Sequence, residues 1–368
     1  MISVAVSASR NDNIPNMPMA RMTVLGILIL AALAVGIAAD GGNLLVDSYG
    51  KLLLIRTDGT QQVLGDSIIF GALSLDGQKF AFTHDENPRT FPNPSQILSV
   101  MPAAGGTAKQ IAKLPPGAHF GSLGWLPDGN GIVYEGKDGN LFMARLSLNG
   151  SALRDLGPWY QGFSVSPDGS KILHAVNSPA IGLEVLDVAS GARTLIHKTA
   201  KVVWNAKFSP DGEWIAYEMT LRDPPRTKDD EPDCTPPTIG LRIYSRRMKT
   251  DTAVTIAAAP KAWNNIKSFN WSPDSKRLAL TLGTTDCDYP GRGNGVFITS
   301  VDLKSQIRAS VSDMSFEPIF SPDGAAVAFV DFSDSPAKLI RYDMTTGART
   351  LIRRATQADN YYRLLDWK

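Results

Sequence analysis

Phe208-Ser209-Pro210-Asp211-Gly212 joins two apolar segments, and variants of it recur down the chain. They are Leu73-Ser74-Leu75-Asp76-Gly77, Trp125-Leu126-Pro127-Asp128-Gly129, Val165-Ser166-Pro167-Asp168-Gly169, Trp271-Ser272-Pro273-Asp274-Ser275 and Phe320-Ser321-Pro322-Asp323-Gly324. Proline presets φ for a type I turn, the aspartate bonds back to nearby backbone, and glycine takes the positive-φ position. Each copy is therefore a β-hairpin connection, and six copies make a repeat protein.

The turn aspartates are spaced by 52, 40, 43, 63 and 49 residues. A base unit of about 40–43 residues with insertions matches a four-stranded propeller blade. Strand a ends in the turn, and strand b follows it, as in Trp214-Ile215-Ala216-Tyr217 or Val327-Ala328-Phe329-Val330. Strand c alternates, as in Leu183-Glu184-Val185-Leu186, and strand d comes after a second turn such as Ser190-Gly191 or Thr346-Gly347. These runs are short, rich in β-branched and aromatic residues, and bounded by turn residues.

The two ends hold leftover pieces. Residues 43–46, 51–55 and 61–64 look like strands b, c and d of a blade without strand a, and 361–367 looks like a strand a that stops at its turn. Joined, they complete a seventh blade and close the ring, removing exposed sheet edges. The expectation is an all-β propeller of seven four-stranded blades; six blades with an extra N-terminal layer is the alternative.

With Lys+Arg 37 against Asp+Glu 36, the chain lacks the basic footprint of a nucleic-acid binder. Residues 23–39 (TVLGILILAALAVGIAA) are uncharged and apolar, with Arg10 and Arg21 ahead of them and Asp40 behind. The segment 1–39 reads as a cleaved export signal or, alternatively, an N-terminal membrane anchor, leaving 40–368 as a single propeller domain. The protein is then expected in the periplasm, at the cell surface or secreted, most simply as a monomer.

The run of Ser-Pro-Asp-Gly turns, each followed by a strand and a glycine turn, resembles the WD-like repeats of the TolB-type propeller family. The resemblance covers residues 43–368. It implies a propeller, and a role in an envelope protein complex of the kind in which TolB works. The α/β domain that precedes the TolB propeller has no counterpart in this sequence. Similar propellers precede the hydrolase domain of prolyl-oligopeptidase-type peptidases; no such domain and no Gly-x-Ser-x-Gly elbow is found here.

The surplus length falls at 84–95, 221–239 and 283–295, always between strands b and c. One face of the ring is therefore plain and the other elaborated, and binding is expected on the elaborated face. Cys234 and Cys287 lie in two of these insertions in neighbouring blades, which predicts a disulfide in an exported chain. Asp230, Asp233, Asp286 and Asp288 nearby are weak calcium candidates, solvated loop acid being the plainer reading, and no other cofactor is expected.

On the same face, strand d hands over to strand a at His119, Trp159-Tyr160, Trp204-Asn205, Trp263-Asn264, Phe316-Glu317 and Tyr361. An aromatic beside a polar residue in most blades would ring the channel mouth with π faces and hydrogen-bonding groups. That suits an envelope or extracellular protein partner or a small polar ligand. For any single aromatic, wedging between blades is the competing role. The expected function is thus a binding module without catalysis; a propeller lyase or glycosidase with its site at the mouth is the alternative. His174, within an apolar strand, is expected to be a core residue.

Overall fold

A computed structural model describes residues 42–48, 51–65, 68–86, 95–114, 120–136, 140–145, 153–158, 162–222, 237–284, 293–356 and 362–367. These residues form seven four-stranded antiparallel sheets arranged as a β-propeller, with no helix among them. Blades 1 to 6 follow the chain at 68–113, 123–158, 164–198, 203–253, 265–308 and 315–354. Blade 7 takes its inner strand, Arg363–Trp367, from the end of the chain. Its other three, Asn43–Ser48, Lys51–Arg56 and Gln61–Gly65, come from the start.

Seven blades, not six, follow from that pairing. Leu44 faces Trp367 and Asp47 faces Arg363 in an antiparallel register, so the N-terminal strands sit inside the ring and are not an added layer. The three insertions fall where the spacing placed them: after Lys79–Asp85 and before Gln96–Pro102, between Trp214–Arg222 and Thr238–Ser245, and between Arg277–Gly283 and Asn294–Ser300.

The core lies between blades, with a separate apolar cluster at each of the seven interfaces. Side chains alternate across a strand. Leu44 and Val46 accordingly pack with Ala326, Ala328 and Leu339 of blade 6, while Leu45 between them packs with Phe80 and Phe82 of blade 1. Both faces of each sheet are buried, which explains why strand b reads as a nearly continuous apolar run.

The repeated turn is held by one exchange. The serine hydroxyl donates to the aspartate (Ser74 to Asp76 at 2.5 Å; Ser166 to Asp168, Ser209 to Asp211, Ser272 to Asp274 and Ser321 to Asp323 at 2.6 Å). The same hydroxyl accepts the amide five residues on, and the aspartate accepts the amide two residues on. Blade 2 has Leu126 in place of the serine and keeps only the aspartate bond, Asn130 N to Asp128 at 2.9 Å. Ser275 replaces the last glycine with φ at 61°, and its hydroxyl accepts the Asp211 amide of the neighbouring blade at 2.9 Å.

Two outcomes are expected. Deleting residues 361–368 removes Leu364 and Trp367 from the blade 6/7 core and opens the ring; a single cooperative melt should give way to a broadened transition at lower temperature. The second concerns acid. The Ser166 hydroxyl, followed by the Ser170 amide and hydroxyl, holds the Asp168 carboxyl down to about 2. A lowered folded value means the unfolded chain binds more protons in acid, so the turn's contribution is present above about pH 4 and is lost towards pH 2. Ser166→Ala should cost about 0.5–1.5 kcal/mol at pH 7, the aspartate being exposed to solvent, and its deficit relative to wild type should shrink between pH 4 and pH 2 in urea titrations.

Candidate binding site at the channel mouth

In every blade the inner strand runs from the elaborated face towards the repeated turn, so its first residues ring one mouth of the channel. Hydrogen bonds tie these inner strands to one another. Trp125 Nε1 donates to Ala72 O at 2.9 Å, Phe208 N to Ser164 Oγ at 3.1 Å and Asn270 Nδ2 to Pro318 O at 2.9 Å. Lys207 Nζ reaches Phe269 O at 3.0 Å and Asn270 Oδ1 at 3.1 Å, while Trp271 Nε1 donates back to Lys207 O at 3.3 Å.

Among the described residues, register slips occur on five of the inner strands, and two of those slips share a further feature. In blade 4 the register slips between Trp204 and Lys207, and in blade 6 between Phe316 and Ile319. The bulged residues are Asn205, φ 43°, and Glu317, φ 53°, both in the left-handed region that glycine usually occupies. Holding a side-chained residue there costs of order 1–3 kcal/mol, and such strain concentrates at functional positions.

Each bulge aims a polar group. Asn205 Nδ2 donates to Glu218 Oε1 at 3.2 Å, and the Glu317 carboxylate accepts the Leu364 amide at 2.9 Å from blade 6 to blade 7, next to the seam where the ring closes. Beside that seam Arg363 pairs with Asp47 at 3.0 Å. Burial pushes the Glu317 carboxyl up to about 7; the Leu364 amide and Arg363 pull the other way, and Asp47 adds to the rise. Burial likewise raises Glu218, against the pull of Asn205 and Lys207. Burial lowers Lys207, opposed by Glu218 and by Asp366 of blade 7. The influence of Asp366 on Lys207 couples two blades that are not neighbours.

The sequence-derived residues divide into three groups. Trp204, 36% exposed, presents its indole at the mouth, with Nε1 reaching Thr220 Oγ1 at 3.5 Å, and Asn205 and Glu317 stand in the bulges. Phe316 is half-buried edge-on to Phe332, at 5.7 Å between centroids. Asn264 is exposed, but Trp263 is not a surface residue. It is 7% exposed, edge-on to Phe297 and beneath the Arg308 guanidinium, 5.1 Å from its ring, so it serves interblade packing.

His119, Trp159, Tyr160 and Tyr361 lie outside the described residues, as do Cys234, Cys287 and the calcium candidates Asp230, Asp233, Asp286 and Asp288. Among the described residues no group of three His, Cys, Asp or Glu side chains is placed to hold a metal ion. His174 is 1% exposed with Nε2 2.8 Å from Glu184 Oε1, the buried residue expected of it.

Sequence reasoning missed Glu218, Lys207, Asp47, Arg363 and Phe70. Phe70 is 37% exposed on the inner strand of blade 1. Glu218 left a signal, a carboxylate interrupting the apolar run from Trp214 to Met219.

Glu317 makes a pH-dependent expectation. Its raised folded value means the folded state binds more protons between about pH 4.5 and 7, so this group's contribution to stability falls as pH rises through that window. Glu317→Gln keeps an acceptor for the Leu364 amide and removes the charge. It should melt like wild type near pH 4.5 and above it at pH 8, by on the order of 1–3 kcal/mol.

No protein-family profile and no curated protein matches the chain. Many solved structures do. TolB from Acinetobacter baumannii is 16% identical, with a TM-score of 0.48 over 91% of this chain and 70% of that one. An oligogalacturonate lyase from Vibrio parahaemolyticus is 12% identical, with a TM-score of 0.55 over 88% and 90%. A prolyl endopeptidase is 12% identical, with a TM-score of 0.59 over 95% of this chain and 55% of that one. At these identities the likeness is one of fold: the chain is a seven-bladed β-propeller with TolB proteins among its structural neighbours.

Proposed function

We propose that the protein is an exported TolB-like propeller that works as a binding module in the cell envelope or outside the cell, taking its partner at the channel mouth of the elaborated face. The observation that carries this reading is the exposure of Trp204 and Phe70 on two inner strands, with the strained polar residue Asn205 directly after Trp204 and a second one, Glu317, on the inner strand of blade 6. Aromatic rings beside fixed hydrogen-bonding groups are the composition of a protein-recognition surface. The apolar segment 23–39 supports export, and the Ser-Pro-Asp-Gly repeats support the comparison with TolB.

The alternative, a propeller lyase or glycosidase, has one observation in its favour. A carboxyl brought to about 7 is poised for acid–base chemistry near neutral pH. A glycosidase would pair it with a second carboxyl at a set separation across the substrate.

Site-specific photocrosslinking tests the proposal. A photoreactive residue at Trp204, on the mouth, and one at Leu75, 64% exposed on the opposite face, are compared in envelope extracts. The Trp204 position should yield one dominant adduct that Leu75 does not, and in a pull-down with the unlabelled protein Trp204→Ala with Phe70→Ala should abolish capture while leaving the melt cooperative. Equal labelling from both faces would overturn the reading. Turnover of an oligosaccharide that disappears in Glu317→Gln would establish the enzyme instead.

A further inference from the structure

We infer that the channel mouth receives a basic side chain, lysine or arginine, carried on a segment of a partner protein; this rests on the reading of the mouth as a docking surface. The geometry of blade 4 points to it, and blade 6 repeats part of that geometry. In blade 4 the exposed indole of Trp204 stands across the strand pair from Glu218, which is 7% exposed and has one oxygen fixed by Asn205. In blade 6 Phe316 precedes Glu317 at the same bulge position, again with the polar residue left-handed. An aromatic face next to a carboxylate is the chemistry that holds an ammonium or guanidinium group. The aliphatic stem lies on the ring, and the head meets both the negative π face and the carboxylate oxygens.

The cations already present are engaged elsewhere. Lys207 is committed to Phe269 O and Asn270 Oδ1, Arg363 to Asp47, and Lys267, on the intervening inner strand, has a partner of its own. Glu218 and Glu317 both resist ionisation because they are buried, and neither makes an ion pair within 4 Å among the described residues. Lys207 and Arg363 act on these carboxyls only from a distance; a basic head would supply a direct countercharge and favour their ionised forms. An acidic segment would set like charge against them.

Calorimetric titration with three peptides of equal length distinguishes these cases. One carries adjacent arginine and lysine, the second citrulline and acetyl-lysine in their place, and the third two glutamates. The basic peptide should bind at least about tenfold more tightly than the neutral one and release protons near pH 7, read from the dependence of its enthalpy on buffer ionisation. Glu218→Gln and Glu317→Gln should each weaken the basic peptide about tenfold and narrow its advantage over the neutral one. The comparison of the three peptides on the unaltered protein does not depend on how either variant folds. If the neutral or acidic peptide binds equally well, and binding is lost in Trp204→Ala, the mouth remains a docking surface and the basic preference is refuted. If no peptide binds while photocrosslinking at Trp204 still captures a partner, the preference is again refuted alone; failure of both removes the docking surface as well.

Discussion

Every blade of this molecule has two apolar faces, and neither is covered unless both neighbours are present. Leu45 turns to one neighbour and Leu44 and Val46 to the other, so a single strand serves two cores at once. An open row of such sheets would leave an apolar face at each end. Closure is therefore a condition of burial, and it depends on one non-covalent pairing, Asn43–Ser48 with Arg363–Trp367. Hydrophobic burial drives the blades together, and this pairing allows the driving force to act all the way round.

Charged groups gather near that joint. Glu317 reaches from blade 6 to the Leu364 amide of blade 7, Arg363 and Asp47 pair beside it, and Asp366 acts on Lys207 from across the channel. Burying carboxylates and an ammonium in an otherwise efficient ring is costly, as the displaced proton affinities of Glu317, Glu218 and Lys207 register. Apolar side chains at these positions would make a more stable ring. Their presence at the mouth, beside two strained bulges, sets the inner strands apart from the packing of the outer blade and is the physical reason to look for recognition there.

The fold was legible because its signal is local. A serine, an aspartate and a glycine within five residues make a turn whose bonds close on themselves, and such a turn can be recognised without knowing what surrounds it. The mouth was half legible. Trp204-Asn205 and Trp263-Asn264 look alike in sequence, yet Trp204 lies within the inner strand, whereas Trp263 lies in the connection before it and folds down onto Phe297 beneath Arg308. Glu218 interrupts an apolar run and Lys207 follows a partly exposed stretch, but neither position says in sequence which groups of other strands its charge would face. Asn205 and Glu317 were placed at the mouth by position alone; their left-handed backbone depends on the register slip and carries no residue signature.

The direction of the strands fixes how the ring is held. The first described strand, Asn43–Ser48, starts on the face of the repeated turns, and the last, Arg363–Trp367, finishes there, with Leu44 opposite Trp367. The joint that closes the ring is therefore made by two strand ends on the plain face, so the side carrying Trp204, Asn205 and Glu317 is built wholly from continuous strands and their connections.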